Sequence, residues 1–511
     1  MSALYFACLW SGIWLLGCGD GSQPPLPAAV KRPQPRLVLL YATCTVNRSF
    51  LSPYNPAVTF TPNLDRFARE SVVFGKHRTE SGRSGIAFAS IFTGTGAAHH
   101  GIFFQPMRLD DSVYDITEAF ADGGYEVSYW GDNKMSNHSL NYGQAVPPKR
   151  AFARALRAAD PELTDVLDRL AVDDGYRAFL MTAFTVTHGP YETDRLLPFC
   201  REFPTECSIL NPLSNQQKGR YLRLYRENHH GLKYDFQNAK DELQLSDEDV
   251  SKLADLLEAV YKSRIWMLDE LFGKLLDRLE QAGVLAESLI VFTADHGETL
   301  YREHAPFKWS HSSAVQADVL DVPLIVRSTD PSVEKGRFSR VTRSIDLFPT
   351  MAGLAGLQLP ADPARTGIDL SDALRGDRQA PRLIAFSHTS ILSHLHERED
   401  VGEYRFNLFP KQDMNLTWVA LRQGDTVWKH KNQGDGRFGF EAYDVSTDVA
   451  EEHDLFDAGV PHHQEMAEEL RRYKASLVAA YSRWSEGSEG NRMGIEDADA
   501  RERLKSLGYV K

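Results

Sequence analysis

An apolar segment that ends in a carboxylate and an imidazole constrains the fold of this chain more than any other feature. Residues 289–294 read LIVFTA, and Asp295-His296-Gly297 follows directly. A wholly apolar run of this length is typical of a strand buried on both faces of a parallel sheet. A long amphipathic helical pattern precedes it, with Ser246 as its predicted N-cap. We therefore predict an α/β sheet with two potential metal ligands at the carboxyl end of a strand, where open sheets form their sites.

The remaining segments alternate between strand and helix patterns, which predicts a doubly wound α/β fold. Strands are predicted to begin at Leu37, Gly124 and Tyr176, and a helix at Thr61-Pro62. Together with LIVFTA and a later VPLIV run, these strands would form a mixed or parallel sheet flanked by helices. From about residue 380 the pattern changes, and alternating segments predict a small antiparallel sheet followed by a helix over residues 464–481. We expect a smaller C-terminal α+β subdomain.

The N-terminus predicts export to a bacterial cell envelope. Residues 3–17 are almost wholly apolar, are too short to cross a bilayer comfortably, and end in Leu-Leu-Gly before Cys18. This ending looks like a lipobox, which implies a lipid on Cys18 and attachment to a membrane, in the periplasm or at the cell surface. No Lys or Arg precedes the run, so an ordinary secretory signal peptide is the first alternative and a transmembrane anchor the second. The predicted segments are a signal peptide at 1–18, a flexible tether at 19–36, a larger domain at 37–376 and the C-terminal subdomain at 377–511.

The net charge argues against one class of protein, and the cysteines predict one disulfide. The net charge of −13 over 511 residues argues against a nucleic-acid-binding protein. Cys200 and Cys207 flank the short loop REFPTE, and in an oxidising compartment we expect a small disulfide between them. Since Cys8 and Cys18 belong to the export segment, Cys44 is left alone.

Several short motifs together resemble those of the sulfatases, a family within the alkaline phosphatase superfamily. They are TPNLD at 61–65, SIFTG at 90–94, DHGE at 295–298 with VPLIV at 322–326, DLFPT at 346–350, YDV at 443–445, EEHDL at 451–455 and LGYV at 507–510. The resemblance covers nearly all of the chain after the tether. It implies a metal-assisted hydrolase of sulfate or phosphate esters that uses a hydroxyl-type nucleophile. It also implies an anionic ester substrate, such as a sulfated or phosphorylated glycan or lipid.

The family register assigns the nucleophile to Ser84. Sulfatase-like enzymes carry this residue ten positions before the Gly of the SIFTG-type motif, which is Gly94 here. The surrounding SGRSG turn would expose the hydroxyl and direct backbone N–H groups at an anion; alternatively, Ser84 is only the N-cap of the following helix. Sulfatases that convert this residue to formylglycine continue with Pro and Arg, where this chain has Ile86 and Phe88. Formylglycine is therefore not expected, and an unmodified serine would suit phosphoryl transfer better than sulfuryl transfer.

A second departure from the family concerns the metal site. The family carries one or two carboxylates at the end of the first strand, whereas this chain has Cys44 at the aligned position. Calcium or magnesium would lose a hard oxygen ligand there, but a thiolate with Asp295 and His296 could hold zinc. We predict one divalent metal ion, calcium or zinc. The alternative is a decayed site in a sulfatase-fold lipoprotein that binds anions without catalysis.

Histidines and lysines near other predicted strand ends complete the candidate site. His188 lies in a His-x-Pro-Tyr motif, in which the family's histidine meets the anionic group of the substrate. Lys134 follows another strand and could supply a positive charge to an oxyanion. In the loop after Asp295-His296, His311 fits the family register best. The predicted catalytic residues are Ser84, His188 and His311, and the predicted substrate-binding residues are Lys134, Lys308 and His304.

The middle of the chain also resembles bacterial phosphoethanolamine transferases of the same superfamily. The similar segments are WGDNK at 130–134, THGP at 187–190 and FPTEC at 203–207. An unmodified hydroxyl nucleophile would agree with such a phosphotransferase. Those enzymes also carry a membrane domain of several helices, which no segment of this sequence could form. The sulfatase-like C-terminal motifs weigh against this alternative as well.

Overall fold

The apolar runs of the sequence form the strands of a large, mostly parallel sheet. The computed structural model describes residues 34–234, 236–303, 305, 307–311, 315–377, 381–389, 414–433 and 437–487. The strands of the larger sheet in this part of the chain are β1 (Leu37–Thr43), β2 (Val72–Arg78), β3 (Glu126–Gly131), β4 (Ala151–Phe152), β5 (Ala178–Ala183), β6 (Ser288–Ala294), β7 (Leu324–Arg327) and β8 (Gly336–Arg343). Their order is β4-β3-β5-β1-β6-β7-β2-β8, and β7 runs antiparallel to both of its neighbours. The predicted α/β fold class is confirmed.

The strand that precedes Asp295 lies beside the first strand, in the middle of the sheet. β1 and β6 are parallel and paired in register, from Leu37 with Ser288 to Thr43 with Ala294. Every residue of both strands is buried. Because both faces of these strands are covered, neither strand has a polar side, which is why their sequences read as continuous apolar runs.

Helices pack on both faces of this sheet. The α-helices of the described residues are α1 (Pro62–Arg69), α2 (Ser84–Thr93), α3 (Ala97–His100), α4 (Ile116–Asp122), α5 (Pro161–Val172), α6 (Leu196–Glu202), α7 (Asn215–Tyr234), α8 (Phe236–Glu242), α9 (Asp247–Gln281), α10 (Ala317–Leu320), α11 (Leu347–Leu354), α12 (Ser371–Leu374) and α13 (Pro461–Gly487), of which α13 packs on the smaller sheet described below. Along β1, Leu39 and Tyr41 belong to the apolar core beneath α9, whereas Val38 and Leu40 belong to the core beneath α2. Successive strand residues point to opposite faces, so one strand contributes to both cores.

The long amphipathic pattern before β6 forms α9. Ser246 Oγ accepts a hydrogen bond from Asp249 N at 3.1 Å, and Asp249 Oδ2 accepts one from Ser246 N at 3.2 Å, which is a capping box. Farther along, the buried Asp269 carboxylate accepts hydrogen bonds from the N–H groups of Asn63 at 3.1 Å and Leu64 at 2.7 Å. These N–H groups open α1, so Asp269 fixes the TPNLD motif against α9.

A smaller antiparallel sheet follows, as the sequence predicted. Its strands are β9 (Ala385–His388), β10 (Val419–Gln423), β11 (Thr426–Asn432) and β12 (Phe438–Asp444), in the order β12-β11-β10-β9. Buried charges join it to the larger sheet: Asp321 accepts a hydrogen bond from Arg78 at 2.9 Å and also pairs with Arg422 of β10. The domain boundary between residues 376 and 377 stays a prediction.

Some of the residues singled out from the sequence lie within the described part of the chain, and others do not. A disulfide joins Cys200 and Cys207, and Cys44 is a buried free thiol. The predicted signal peptide with Cys18, most of the tether, and His304 lie outside the described residues. Within the described ranges, no helix is both long enough and apolar enough to cross a membrane.

Candidate active site

The carboxyl ends of β1 and β6 bring Cys44 next to Asp295 and His296. The last residues of the two strands, Thr43 and Ala294, are paired, and Asp295 N donates to Thr43 O at 3.0 Å. Cys44, Asp295 and His296 are all completely buried. The cysteine that stands at the position of the family's carboxylate therefore lies across from the Asp-His pair.

Ser84 begins α2, and its hydroxyl lies inside this group. Ser84 Oγ is 3.3 Å from Cys44 Sγ and 3.2 Å from His296 Nε2. The N-cap of the helix is Arg83, so Ser84 is not the helix cap that was the alternative interpretation. The helix ends at Gly94, whose φ of 66° is a left-handed conformation that glycine adopts without strain. The spacing between Ser84 and Gly94 is thus the length of one buried helix.

The side chains of Cys44, Asp295 and His296 fit a divalent metal ion. One ligand atom from each lies within 4.8 Å of the others. His296 Nδ1 is 2.9 Å from Gly297 O, which places the proton on Nδ1 and leaves the Nε2 lone pair for a ligand bond. Asp295 Oδ1 accepts hydrogen bonds from the N–H groups of Thr45 and His296, whereas its buried Oδ2 has no hydrogen-bond partner among the described residues. Such an oxygen is costly to bury, and a metal ion would satisfy it.

Burial shifts the pKa of each candidate ligand toward the neutral form. It raises the pKa of Asp295 to about 7. It also raises the pKa of the Cys44 thiol well above its usual value, and the charge of Asp295 adds to that shift. It lowers the pKa of His296 to about 3. A metal ion here would favour the thiolate and the carboxylate and would need the imidazole neutral.

Two predicted catalytic histidines continue the site beyond His296. The His311 ring stacks on the His296 ring with centroids 4.4 Å apart, and the His188 ring meets His311 edge-on at 5.0 Å. His311 Nδ1 is 3.3 Å from Oε1 of Glu298, a buried carboxylate that the sequence did not single out. Burial raises the pKa of Glu298 to about 7. The rings of His296, His311 and His188 thus form a row, and His296 at its start lies next to the Ser84 hydroxyl.

A close backbone contact holds the His311 loop against the turn that leads to Ser84. A Cβ atom on Gly82 would lie 2.1 Å from His311 O and 2.8 Å from Val319 Cγ1. The first of these atoms belongs to the backbone and has no side-chain torsion that could relieve the clash. Glycine at position 82 therefore allows two distant segments of the chain to meet at the site.

Asn133, rather than the predicted Lys134, is the buried polar residue after β3. Lys134 is exposed, whereas Asn133 is 3% exposed. Asn133 Oδ1 accepts a hydrogen bond from Met135 N at 3.0 Å, and its Nδ2 has no partner within the part of the chain described here. A Cβ atom on Gly85 would lie 3.2 Å from Met135 O. This turn therefore lies against the start of α2, and Asn133 supplies an amide donor there.

Lys308 does not have the substrate-binding geometry that the sequence predicted. Its ammonium group donates to the backbone carbonyls of Arg302, Glu303 and Ala305, the last at 2.6 Å. An ammonium group has three protons, so these carbonyls use all of them. Burial also lowers the pKa of Lys308 to about 8. The residue ties its own loop together.

Two buried cations near the site carried no recognisable sequence signal. Lys233 on α7 is 8% exposed, and its charge adds to the effect of burial in lowering the pKa of His188. Arg83 is 3% exposed, and its Nε has no hydrogen-bond partner in the described ranges. Arg83 also contributes to the lowered pKa of His296. Cationic side chains beside a nucleophile can neutralise the oxygens of an anionic ester.

Comparison with known proteins identifies the family. The family model described as Sulfatase matches residues 45–357. Arylsulfatase A of Bos taurus is 26% identical over 506 residues, which cover 92% of this chain and 92% of that protein. Arylsulfatase K of Xenopus laevis is 26% identical over 217 residues, but this match covers 42% of this chain and spans only 36% of that protein. The structure of BT4656 in complex with its substrate D-glucosamine-2-N,6-O-disulfate has a TM-score of 0.62 at 18% identity, and the match covers 88% of this chain and 98% of that chain. The chain belongs to the sulfatase family, within the alkaline phosphatase superfamily.

Proposed function

We propose that this chain hydrolyses sulfate or phosphate esters, with Ser84 as the nucleophile beside a divalent metal ion. The position of the Ser84 hydroxyl carries the proposal, because it lies 3.2 Å from His296 Nε2 and 3.3 Å from Cys44 Sγ. His296 Nε2 is in turn 3.4 Å from Asp295 Oδ2. A hydroxyl among three candidate metal ligands is suited to act as an activated nucleophile.

The first step of the reaction needs a deprotonated Ser84. A divalent ion held by Cys44, Asp295 and His296 would act as a Lewis acid and lower the pKa of a neighbouring hydroxyl. Ser84 Oγ attacks the sulfur or phosphorus atom while the bond from that atom to the ester oxygen breaks. The electron pair of the broken bond stays on the ester oxygen, and the proton released from Ser84 reaches this oxygen through one of the buried histidines, so that the alcohol leaves neutral. A water molecule then hydrolyses the ester on Ser84 and restores the enzyme. The buried site excludes other water from the first step.

Buried polar groups around Ser84 would bind the anionic part of the substrate. Arg83 contributes a guanidinium, Asn133 an amide and Lys233 an ammonium, and all three side chains are buried. Groups held in this way need little reorganisation when charge develops on the substrate oxygens. We assign the anion-binding role to these residues in place of Lys134 and Lys308.

The donor set favours zinc over calcium. Thiolate and imidazole are common zinc ligands, whereas calcium and magnesium prefer oxygen. Cys44 would supply the sulfur, His296 the nitrogen and Asp295 one oxygen. Since these ligand atoms lie within 4.8 Å of one another, with the Ser84 hydroxyl beside them, the geometry argues against a decayed site that only binds anions.

We further propose that the protein works in a bacterial cell envelope, attached through a lipid on Cys18. The disulfide between Cys200 and Cys207 supports an oxidising compartment. The substrate would be an anionic ester of a glycan or a lipid. The sulfated glucosamine bound to BT4656 supports a sugar as one candidate.

A Ser84→Ala variant tests the proposed function. Wild type and variant are assayed on p-nitrophenyl sulfate and on p-nitrophenyl phosphate, with Ser139→Ala, an exposed serine outside the site, as the matched control. We expect Ser84→Ala to lose at least about 10³-fold in kcat and the control to keep the wild-type rate. The ratio of the two wild-type rates decides between sulfate and phosphate. Equal rates for Ser84→Ala and wild type would remove Ser84 from the mechanism.

A further inference from the structure

Thr45, the residue after Cys44, has a backbone conformation that threonine rarely adopts. Its φ is 54°, which lies in the left-handed region and is unfavourable for a side chain branched at Cβ. Its hydroxyl does little to stabilise this conformation, because the hydrogen bond to Thr187 Oγ1 is 3.5 Å long. A buried residue keeps such a conformation only where the surrounding structure holds it, and such residues are concentrated at functional sites. The chain is therefore strained directly beside a candidate metal ligand.

The left-handed conformation directs the chain after β1 toward the segment that follows β6. Thr45 N donates to Asp295 Oδ1 at 3.2 Å, and Val46 N donates to His296 O at 2.9 Å. His296 N also donates to Asp295 Oδ1, at 2.6 Å. Since two N–H groups occupy Oδ1, the atom left for a metal ion is Oδ2, which has no hydrogen-bond partner among the described residues. The strained turn thus fixes the orientation of the Asp295 carboxylate.

The hydroxyl of Tyr261, on α9, holds both ends of this turn. It donates a hydrogen bond to Thr45 O at 2.8 Å and accepts one from Asn47 N at 2.9 Å. Tyr261 is completely buried, and its ring meets those of Phe50 and Tyr191 with centroids 5.3 Å and 5.5 Å away. The position of the hydroxyl is therefore set by the helix and by neighbouring rings. It connects the strained turn to a helix that carries none of the three candidate ligands.

We infer that Tyr261 is a positioning residue, whose hydroxyl keeps Thr45 in the strained conformation and so prearranges Cys44 and Asp295 for a metal ion. Without this hydroxyl, Thr45 would relax toward an ordinary φ. Its N–H would leave Asp295 Oδ1, and the peptide that joins it to Cys44 would turn. The inference rests on the proposed function, because it assumes that an ion binds at these residues. It gives α9 a part in metal affinity.

The experiment places Tyr261→Phe, which removes only the hydroxyl, in wild type and in Thr45→Gly. The zinc affinity of each metal-free protein is measured by competition with a chromogenic chelator. Thr45→Gly alone should bind zinc like wild type, because glycine adopts the left-handed conformation without strain and keeps the N–H. We expect Tyr261→Phe to lower the affinity of wild type by about 10- to 100-fold, but that of Thr45→Gly by less than about threefold.

Tyr54→Phe is the matched control for the loss of the hydroxyl. The Tyr54 hydroxyl makes the same pair of bonds, since it donates to Leu324 O at 2.9 Å and accepts from Leu324 N at 2.8 Å. Neither residue belongs to the turn after β1. Tyr54→Phe should therefore keep the zinc affinity of wild type. Equal losses of affinity from Tyr261→Phe in wild type and in Thr45→Gly would mean that Tyr261 only supports the fold, and the inference would be wrong.

Urea denaturation of the metal-free proteins tests the strain without an ion. In wild type, relaxation of Thr45 offsets part of the loss of the two hydrogen bonds. In Thr45→Gly there is no strain to release, so Tyr261→Phe should lower the midpoint of unfolding by more than it does in wild type. The same decrease in both backgrounds would refute the strain. If wild type binds no zinc, the proposed metal site has failed, and the urea measurement still decides whether Tyr261 holds Thr45 under strain.

Discussion

Replacing Gly82 by alanine should weaken both the fold and the catalysis, because it adds one methyl group where two segments touch. The new Cβ would lie 2.1 Å from His311 O and 2.8 Å from Val319 Cγ1, and real Cβ atoms essentially never approach closer than 3.0 Å. The His311 carbonyl must therefore retreat by about 0.9 Å. Overpacking of this kind costs about 1–3 kcal/mol in the free energy of unfolding. A displacement of about 1 Å at a catalytic group lowers the rate by about 10²-fold.

The assay for this prediction has two parts and a matched control. Urea denaturation gives the free energy of unfolding, and kcat/KM on the faster of the two p-nitrophenyl esters reports whether the groups around Ser84 keep their positions. Gly219, an exposed residue of α7, has nothing within 4 Å of an added Cβ, so Gly219→Ala should be neutral or slightly stabilising. A Gly82→Ala protein as stable and as active as Gly219→Ala would refute the contact between the His311 loop and the Ser84 turn.

Two further predictions concern the metal site and Glu80, a buried carboxylate that contacts Ser90 of α2. Cys44→Ser should lose bound zinc and Cys44→Asp should bind calcium in preference to zinc, because the thiolate is the soft ligand of the site. Elemental analysis of the purified proteins checks both expectations. One zinc per chain in Cys44→Ser would exclude Cys44 as a ligand. Burial raises the pKa of Glu80, but contacts with His100, His388 and Ser90 outweigh it and bring the pKa from 4.5 to about 2. Because the folded-state pKa is the lower one, this carboxylate stabilises the fold above pH 4.5, and its contribution is lost as the pH falls toward 2. Glu80→Gln should therefore lower the free energy of unfolding more at neutral pH than in acid. Urea denaturation at the two pH values checks this, and the same loss at both would contradict it.

Residues that directly follow buried strands could be placed from the sequence. Asp295 and His296 come after one apolar run and Cys44 after another, and the pairing of parallel strands brings such ends together whatever the loops do. Ser84 needed the family register as well, because its turn contains a second serine, Ser81. The sulfatase resemblance was confirmed over residues 45–357.

The sequence could not predict the positions of the site residues that lie on turns and on a distant helix. Whether Asn133 or Lys134 points inward depends on the turn after β3, where Asn133 Oδ1 caps the N–H of Met135. The charge of Lys308 suggested an anion ligand, but its own loop takes all three ammonium protons. Lys233 comes from α7, and no local pattern encodes where that helix meets the site.

The central claim is that Ser84 attacks the substrate beside the Cys44–Asp295–His296 site. Mass spectrometry of peptides from enzyme mixed with excess substrate and quenched in acid tests it most directly. We predict one sulfate or phosphate group on the peptide that contains Ser84, and none on the corresponding peptide of Ser84→Ala. Turnover with the label on another residue, or wild-type turnover by Ser84→Ala, would contradict the mechanism.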